Sequence, residues 1–368
     1  MTHIVVLGAG YSGQIAANLA ARRADATVTL VNDRDRFVER VRLHQFAAGQ
    51  ELRERKIADL LRGSGASLVV DRVTRIDPRT RTVELAAGEP LHYDTLIYAL
   101  GSHADLESVP GVAEHAFTVA GAEQAVRLRD RLASGGTVTV VGGGLTGIEA
   151  ATELAESHPD LKVRLLTGDV LGARLSERGG RYLRRTFDRL GIEIRDEVRV
   201  AAVRADGVEL VGGEHVGSHF VVWTTGFTVP PLAREAGLAV DVSGRMIVDD
   251  TMRSVSHPDV YGIGDAAAVR RADGQELRMA CATGLPVAQA AVRAVTARLA
   301  GKEPKPFRFR YVNQCISLGR RDGLIQFVRG DDSPKEAVLT GRLAALYKEV
   351  IVRGALQAQR HPAFPTAF

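Results

Sequence analysis

The chain has 368 residues, enough for two or three domains, and 45% of them are hydrophobic while 25% are charged, as in ordinary globular proteins. The formal net charge is only +4 and no basic run is interleaved with aromatic residues, which argues against a nucleic-acid partner. No apolar stretch approaches the ~20 residues of a membrane span. The two cysteines, Cys281 and Cys315, lie far apart, so the sequence predicts no zinc or other metal site and favours a reducing compartment. The chain begins directly with a strand pattern, and we expect a cytoplasmic protein without a signal peptide.

The first predicted strand, 3–8, runs into glycines at positions 8, 10 and 13 and then into a predicted helix over 11–23. In such a turn the first glycine allows a sharp bend, and the second lets a pyrophosphate approach the backbone. The third lets helix and strand pack closely. Helix N–H groups then face the phosphates. One such turn is weak support for a dinucleotide site, because glycine-rich bends also occur for structural reasons.

The same pattern returns 134 residues later, with glycines at 142, 144 and 147 between a predicted strand 137–142 and a predicted helix 145–157. A second repeated pattern follows each turn. The segment 82–102 resembles 207–227, and in both a predicted hairpin precedes an apolar strand. Two turns in register, each with a strand before it and a helix after it, predict two dinucleotide sites.

Strand and helix patterns alternate along most of the remaining chain, which predicts parallel sheets of the doubly wound type. The remaining strands are expected at 27–32, 68–70, 94–99, 162–167, 192–194, 219–224 and 259–263, and the remaining helices at 123–134, 176–190, 280–301 and 336–356. The predicted fold class is α/β, with two Rossmann-like, three-layer dinucleotide-binding domains and a small α+β C-terminal domain. The expected domains are a discontinuous first one at 1–112 and 233–305, a second at 113–232, and a C-terminal interface domain at 306–368.

The residues that should meet the ribose are irregular in both copies. Asn32 replaces the usual acid at the end of the second strand, with Asp33 beside it, and either side chain could bind a ribose hydroxyl. In the second copy Thr167 and Gly168 stand where an acid would favour NAD, and Arg174 nearby could bind a 2′-phosphate or be only a solvated loop residue. The choice between NADH and NADPH stays open, with a preference for NADH. A flavin held in one domain that accepts hydride from a nicotinamide bound to the other is the evident use of two such sites.

These motifs resemble those of the two-dinucleotide-binding-domain flavoproteins, the pyridine nucleotide–disulfide oxidoreductase superfamily. "GAGYSG" (8–13) looks like its FAD turn, and "GGGLTGIE" (142–149) looks like its NAD(P)H turn. "YDTLIYALGS" (93–102) and "VVWTTGF" (221–227) resemble its domain-closing motifs, and "HPDVYGIGDAAAV" (257–269) resembles its second FAD signature. The resemblance implies FAD and NADH or NADPH as cofactors.

It also implies cofactor-binding residues in both domains. Those expected at FAD are Gly8, Gly10, Tyr11, Ser12, Gly13, Asn32, Asp33, Arg42, Ala99, Gly101, Gly264, Asp265, Leu285 and Pro286. Those expected at NAD(P)H are Gly142, Gly144, Thr146, Gly147, Thr225 and Gly226.

The superfamily's disulfide reductases carry a cysteine pair soon after the second strand, where this chain reads "DRFVERVRLHQFAAGQ". Without that pair a dithiol relay is not expected. The stretch "RFVERVRLHQFAAG" instead resembles type II NADH:quinone dehydrogenases and apoptosis-inducing-factor-like quinone reductases, as do "LPVAQAAV" (285–292) and "LTGRLAALYKEVIVRGAL" (339–356).

This narrower resemblance implies three catalytic candidates. Glu149 would lie near the nicotinamide and assist proton movement, although a glutamate near a helix N-terminus is also stabilising by itself. Gln289 would lie beside the flavin and the quinone pocket, although it could be only a polar residue on an apolar helix. His44, in a stretch that should border the flavin, is a candidate proton donor.

The predicted C-terminal helix carries an apolar stripe of Leu343, Leu346, Tyr347, Val350, Ile351 and Leu356. It fits packing on its own domain, a homodimer contact or weak peripheral contact of 339–356 with the inner face of a membrane. The first two are favoured over membrane binding.

Three functions remain open. The leading hypothesis is an FAD-dependent oxidoreductase that takes hydride from NAD(P)H and reduces a quinone-like acceptor without a redox disulfide. The second is a reductase of an iron–sulfur carrier or of a biosynthetic intermediate. The third is an NAD(P)H-sensing interaction protein.

Overall fold

A computed structural model describes residues 2–132 and 135–364 of the chain. Its strands are β1 Thr2–Leu7, β2 Ala26–Asn32, β3 Ser67–Val70, β4 Val73–Asp77, β5 Thr82–Leu85, β6 Leu91–His92, β7 Thr95–Tyr98, β8 His103–Ala104, β9 Ala116–Phe117, β10 Gly136–Val141, β11 Leu161–Leu166, β12 Glu193–Arg195, β13 Val200–Arg204, β14 Gly207–Leu210, β15 His215–Gly217, β16 Phe220–Trp223, β17 Phe227–Thr228, β18 Met246–Ile247, β19 Val260–Gly262, β20 Ala267–Ala268, β21 Asn313–Ser317, β22 Gly323–Val328 and β23 Pro334–Thr340.

The α-helices are α1 Tyr11–Arg23, α2 Leu43–Ala47, α3 Ile57–Leu61, α4 Val112–His115, α5 Ala122–Leu132, α6 Leu145–Ser157, α7 Glu177–Arg189, α8 Leu232–Glu235, α9 Cys281–Leu299 and α10 Gly341–Arg360. Short 3₁₀ helices lie at Arg40–Arg42 and Gly264–Ala266. The final two residues of the predicted helix 123–134 lie outside the described residues.

The first large sheet has the strand order β19-β7-β1-β2-β3, and all its strands are parallel. The inner strands are rich in β-branched residues and buried, as expected where helices cover a parallel sheet. Helices α1 and α9 pack together in this lobe. Because β19 pairs with β7, the chain returns to this sheet after it has formed the second one.

The second large sheet repeats the plan, in the order β12-β11-β10-β16-β9, and is again parallel. Each lobe carries a three-stranded antiparallel sheet, β4-β5-β6 in the first and β13-β14-β15 in the second, at the position of the predicted hairpin signals. The predicted α/β class with two Rossmann-like sheets is confirmed. The domain boundaries stay a prediction.

The C-terminal unit combines the antiparallel sheet β21-β22-β23 with α10 and joins both lobes. Ile316 and Leu324 are buried in the core of the second lobe, whereas Val328 and Ala355 are buried in the core of the first. Helix α2 also crosses between lobes, because Leu43 belongs to the second core although it precedes the second sheet in the chain.

The predicted helix 336–356 was wrong at its start. Residues 334–340 form strand β23, which pairs with β22, and α10 begins only at Gly341. The alternating pattern around Val338 fits an edge strand, and pairing with β22 decides between strand and helix.

The apolar stripe of α10 packs on its own domain only in part. The buried positions of the helix are Ala344, Val352, Ala355, Ala358 and Gln359, and Leu356 of the stripe packs against the core of the first lobe. Small side chains let α10 approach the sheet closely. Three other members of the stripe face outward: Leu343, Leu346 and Val350 are between 60% and 67% exposed. Among the described residues no helix is long and apolar enough to cross a membrane.

Candidate active site

The first glycine turn joins β1 to α1. A Cβ on Gly8, whose φ is +94°, would lie 2.5 Å from the carbonyl oxygen of Ala99, and a Cβ on Gly13 would lie 1.8 Å from that of Gly8. Nothing lies within 4 Å of the position a Cβ would take on Gly10. There is therefore no room for a side chain at the first and third glycines. At the second glycine the space is open, as the approach of a pyrophosphate requires.

The second turn, between β10 and α6, repeats this geometry. A Cβ on Gly142 would lie 2.7 Å from Oγ1 of Thr224, and a Cβ on Gly147 would lie 1.8 Å from the carbonyl oxygen of Gly142. The space at Gly144 is open. Gly10 and Gly144 are also the N-cap residues of α1 and α6, and neither helix has an acidic residue in its first turn. Both helix ends therefore suit phosphate groups, so the residues present fit two dinucleotides.

The candidate ribose-binding residues of the first lobe lie beside the first glycine turn. Oδ1 of Asn32 accepts a hydrogen bond from the backbone N–H of Ala9 at 2.8 Å, and its Nδ2 donates to the carbonyl oxygen of Arg34 at 2.9 Å. Asp33 forms an ion pair with Arg34 at 3.0 Å. Asn32 thus holds the glycine turn against the end of β2, and a ribose contact by Asn32 or Asp33 stays a prediction.

In the second lobe Thr167 is buried at the end of β11. A Cβ on Gly143 would lie 2.2 Å from Oγ1 of Thr167. Thr146 lies in the first turn of α6, beside Gly144. Thr224 was not predicted, because the motif resemblance pointed to Thr225 and Gly226, yet it is the threonine whose hydroxyl touches the turn and donates to the carbonyl oxygen of Val141 at 2.8 Å.

Asp265 lies in the 3₁₀ helix Gly264–Ala266 and faces the end of β7. Its Oδ2 accepts a hydrogen bond from Oγ of Ser102 at 2.7 Å and lies 3.7 Å from Nη1 of Arg40. Arg40 also donates to the backbone carbonyl of Ser102, and burial lowers the pKa of its guanidinium despite the Asp265 charge. The sequence reasoning missed Ser102, although it directly follows the predicted Ala99–Gly101 segment.

Three predicted segments meet at Ser12, in the first turn of α1. A Cβ on Gly264 would lie 3.0 Å from Oγ of Ser12, and one on Gly284 would lie 2.7 Å from the same atom. The glycine turn, the Asp265 loop and the first turns of α9 are therefore in direct contact. Leu285 and Pro286 follow Gly284 on α9. The predicted FAD residues of these segments thus come together.

Two predicted FAD residues have other partners. The ring of Tyr11 packs edge-on against Phe37, with centroids 5.0 Å apart. Arg42 forms ion pairs with Glu349 at 2.8 Å and with Glu39 at 3.4 Å. The cofactor roles of Tyr11 and Arg42 stay predictions, and it is Arg40 rather than Arg42 that approaches Asp265.

Glu149 is buried on α6 in the turn after Gly147. Its Oε1 accepts hydrogen bonds from Nζ of Lys348 at 2.7 Å and from the backbone N–H of Ser317 at 2.9 Å. Lys348 also donates to the carbonyl oxygen of Cys315 at 2.9 Å. Burial alone raises the pKa of Glu149, but the neighbouring Lys348 charge and these hydrogen bonds outweigh it and hold the pKa below its usual value. The site therefore contains a buried carboxylate–ammonium pair.

His44 lies beside this pair, as the electrostatic interaction between its ring and Glu149 shows. The pKa of His44 is lowered to about 4. Burial is the main cause, the Lys348, Arg320 and Arg42 charges also lower the pKa, and Glu149 opposes them. Among the described residues its Nε2 has no hydrogen-bond partner. The structure thus brings together Glu149 and His44, two of the three predicted catalytic residues. It adds Lys348, which lies in the segment 339–356 but was not predicted as a site residue.

Gln289, the third candidate, binds the C-terminal segment. Its side-chain amide donates to the carbonyl oxygens of Pro362 and Phe364, at 2.9 and 2.7 Å. A role for Gln289 at the flavin or the acceptor stays a prediction.

A cavity of about 390 Å³ opens between the β21–β22 loop and α10. Its lining includes Gln45, Ser317, Lys348 and Glu349, and Lys348 connects it to the buried Glu149. Leu346 also lines the cavity and is 61% exposed, so the cavity adjoins the apolar stripe of α10.

Comparison with known proteins places these features in a family. Residues 2–294 match the pyridine nucleotide-disulphide oxidoreductase family. An NADH dehydrogenase-like protein of Mycobacterium tuberculosis is 33% identical over 78% of both chains. The type II NADH:quinone oxidoreductase of Staphylococcus epidermidis is 26% identical over 95% of this chain and 93% of its own.

Other similar proteins vary in their named acceptor. The NADH-rubredoxin oxidoreductase of Clostridium acetobutylicum is 28% identical over 72% of this chain and 68% of its own. The solved NDH2 of Plasmodium falciparum in complex with NADH has the same fold, with a TM-score of 0.81 at 14% identity over 98% of this chain and 97% of that one.

The matched family spans both glycine turns and the Asp265 loop, and the two open pyrophosphate positions fit its cofactors, FAD and NAD(H). The chain is therefore a member of the pyridine nucleotide-disulphide oxidoreductase family, a flavoprotein NAD(P)H oxidoreductase.

Proposed function

We propose that this flavoprotein passes electrons from NADH to a quinone-like acceptor bound in the cavity between the β21–β22 loop and α10. The observation that carries the proposal is the buried Glu149–Lys348 pair at 2.7 Å, whose Lys348 lines the cavity. Bound FAD supplies the hydride-accepting ring. The two relatives named as NADH dehydrogenase-like and as a type II NADH:quinone oxidoreductase support this choice of acceptor.

The proton requirement of a quinone explains the residues at the wall. Reduction of a quinone to a quinol takes up two electrons and two protons, so the site must deliver protons as well as electrons. Glu149 is held in its anionic form and His44 in its neutral form, which leaves the Lys348 ammonium as the proton donor nearest the cavity. A positive group next to a carbonyl oxygen also stabilises the negative charge that develops there.

The shape of the cavity fits an apolar ring with polar ends. Ala345, Leu346 and Val352 supply its apolar lining, while Arg320 and Lys348 supply hydrogen-bond donors. The exposed stripe of Leu343, Leu346 and Val350 gives a water-insoluble acceptor an apolar approach. Contact of 339–356 with a membrane and homodimer formation would both use this stripe, and vesicle flotation against light scattering separates them.

A cysteine relay has no place in this mechanism. The segment after β2 has no cysteine. The backbone carbonyl of Cys315 accepts a hydrogen bond from Lys348, and its Sγ donates to Oδ1 of Asn313 at 3.2 Å. We therefore propose direct transfer from the flavin to the acceptor.

Two of the arginines near β11 support NADH over NADPH. On the neighbouring strand β12, Arg195 makes two hydrogen bonds to Glu214, at 2.8 and 2.7 Å. Arg184 is bound to Asp196 at 2.6 Å. These guanidinium groups are neutralised by their own partners, so neither is free to bind a 2′-phosphate. We expect a kcat/KM for NADH about 10-fold above that for NADPH.

Replacement of Lys348 tests the proposal. Lys348→Gln should lower steady-state reduction of menadione or a short-chain ubiquinone about 10- to 100-fold, because the proton donor is lost. Anaerobic reduction of the flavin by NADH, followed by stopped flow, should change less than about twofold. Lys335→Gln, an exposed lysine on the same unit, is the matched control and should leave both rates unchanged. Wild-type protein that is reduced by NADH but is not reoxidised by any quinone would rule out the proposed acceptor.

A small iron–sulfur protein is the second candidate acceptor, because one relative is named NADH-rubredoxin oxidoreductase. Its docking to the exposed arginines should depend on salt. Faster turnover with rubredoxin or ferredoxin than with menadione, with a steep loss between 50 and 300 mM salt, would favour it.

A further inference from the structure

Glu153 is a buried acid next to the site that the proposed electron transfer leaves unused. It lies one helical turn beyond Glu149 on α6 and is 0% exposed. One carboxylate oxygen, Oε1, accepts a hydrogen bond from the side-chain amide of Gln50. The other, Oε2, is buried without a hydrogen-bond partner among the described residues. A buried carboxylate oxygen without a partner is costly, and a functional role can explain why it persists.

The charges around Glu153 leave it poorly compensated. Glu149 and Glu156 flank it on the same face of α6, and the positive group that faces it is Arg320 on the β21–β22 loop. Arg320 is shared, since its guanidinium lies 3.8 Å from Glu349 and its backbone N–H donates to Glu156. The pKa of Glu153 is raised to about 7. Burial is the main cause and the neighbouring carboxylates add to it, while Arg320 and Gln50 oppose the rise.

Its position connects the site with solvent. Residues at i, i+4 and i+7 of a helix lie on one face, so Glu149, Glu153 and Glu156 form a row. Glu149 touches the cavity-lining Lys348, whereas Glu156 is partly exposed. Glu153 therefore lies between a group that must be reprotonated and the protein surface.

We propose that Glu153 is a proton-relay residue, which stores the proton that restores Lys348 after each reduction of the acceptor. The inference rests on the proposed function. FAD held in the first lobe would supply the quinone with two electrons and with the hydrogen received as hydride from NADH, which becomes one of the quinol's two protons. Nζ of Lys348 gives up one proton to a quinone oxygen. The O–H bond of Glu153 then breaks, its proton passes through the Glu149 carboxylate to the Lys348 amine, and solvent reprotonates Glu153. The sum is NADH, one proton and quinone giving NAD⁺ and quinol.

Glu153→Gln tests the relay, because it keeps the size of the side chain but cannot release a proton. In wild-type protein the rate of acceptor reduction should fall as pH rises through the range in which Glu153 loses its proton. Glu153→Gln should lose this pH-dependent limb and turn over about 10-fold more slowly at pH 6, while flavin reduction by NADH stays within about twofold. Glu153→Asp should recover part of the rate. Glu156→Gln, the same change on the same face at a partly exposed position, should keep the pH-dependent limb but move it to lower pH, because it removes a carboxylate that raises the pKa of Glu153.

Gln50→Leu provides a second measurement that keeps Glu153 in place. Loss of the Gln50 hydrogen bond should move the limb to higher pH, because that bond stabilises the charged form. Infrared difference spectra should show a protonated carboxylic acid band that titrates in wild type and is absent in Glu153→Gln. A wild-type limb that persists in Glu153→Gln overturns the relay alone. Wild-type protein that reduces no quinone at any pH overturns the proposed function, and the relay with it.

Discussion

The two glycine turns have the same backbone geometry and different surroundings. At the third glycine of each turn a Cβ would lie 1.8 Å from a carbonyl oxygen, and at the second glycine the space is open. The first turn is also covered by Gly264 and Gly284, which approach Ser12. The second turn borders Thr167 and Thr224 instead. The sterics of the bend thus fit a dinucleotide in both lobes. We propose that the covering segments let the first lobe retain FAD while the second exchanges NAD(H).

The assignment of one cofactor to each glycine turn is tested most strongly by filling one pyrophosphate position at a time. Gly10→Glu should lower flavin retention at least about 100-fold, and Gly144→Glu should keep the flavin but lower its reduction by NADH by a similar factor. Both positions have negative φ and open space, so the fold should survive. Flavin absorbance after purification and stopped-flow reduction measure the two effects.

Gly10→Ala and Gly144→Ala are the controls and should change either quantity only a few-fold. If Gly144→Glu lost the flavin, or if Gly10→Glu kept it, the assignment of the two cofactors to the two lobes would be reversed.

The third glycines should respond in the same way in both lobes. Gly13→Ala and Gly147→Ala each place a Cβ 1.8 Å from a backbone carbonyl, so each should lower the free energy of unfolding by about 3 kcal/mol. Urea denaturation of the cofactor-free protein measures this, with Gly10→Ala as the neutral reference. A loss below about 1 kcal/mol in either variant would show that the helix can move away from its strand at little cost, contrary to the close packing of the turn.

Local patterns were sufficient for the parts of the fold that depend on local sterics. The predicted helices 11–23 and 145–157 match α1 and α6, because a strand, a glycine turn and an alanine-rich helix define each other at short range. The start of α10 depends on pairing between β22 and β23, which no local pattern records.

In the site, too, local motifs predicted some residues, and long-range contacts determine the others. Glu149 was marked by its motif, but Lys348 reaches it from 199 residues further along the chain. Arg40 and Arg42 look alike in sequence, and only long-range partners separate them: Asp265 for Arg40 and Glu349 for Arg42.

A smaller effect is expected from Asp265, which belongs to the covering segments of the first turn. Asp265→Asn should weaken FAD binding about 10-fold, because it removes a charge that holds Arg40 and accepts from Ser102. Titration of the apoprotein with FAD measures the Kd, and binding of NADH to the second lobe should not change. Asp273→Asn, on an exposed turn, is the matched control. Equal FAD affinity in wild type and Asp265→Asn would mean that the covering segments close the first lobe without this carboxylate.

A pH-dependent effect is expected at the contact between the two lobes. His44 tests this contact, because α2 packs in the core of the second lobe. The pKa of His44 is about 4 in the folded protein against an ordinary value of 6.5, so the unfolded chain binds the proton more tightly. Stability should therefore fall as pH drops from 6.5 towards 4 and should be unaffected by His44 above 6.5. His44→Gln stays neutral, so wild type should lose about 2 kcal/mol more than the variant over this range. Equal pH dependence of the two in urea denaturation would mean that His44 is hydrated, and that the lobes do not exclude water at the place where the two cofactors must meet.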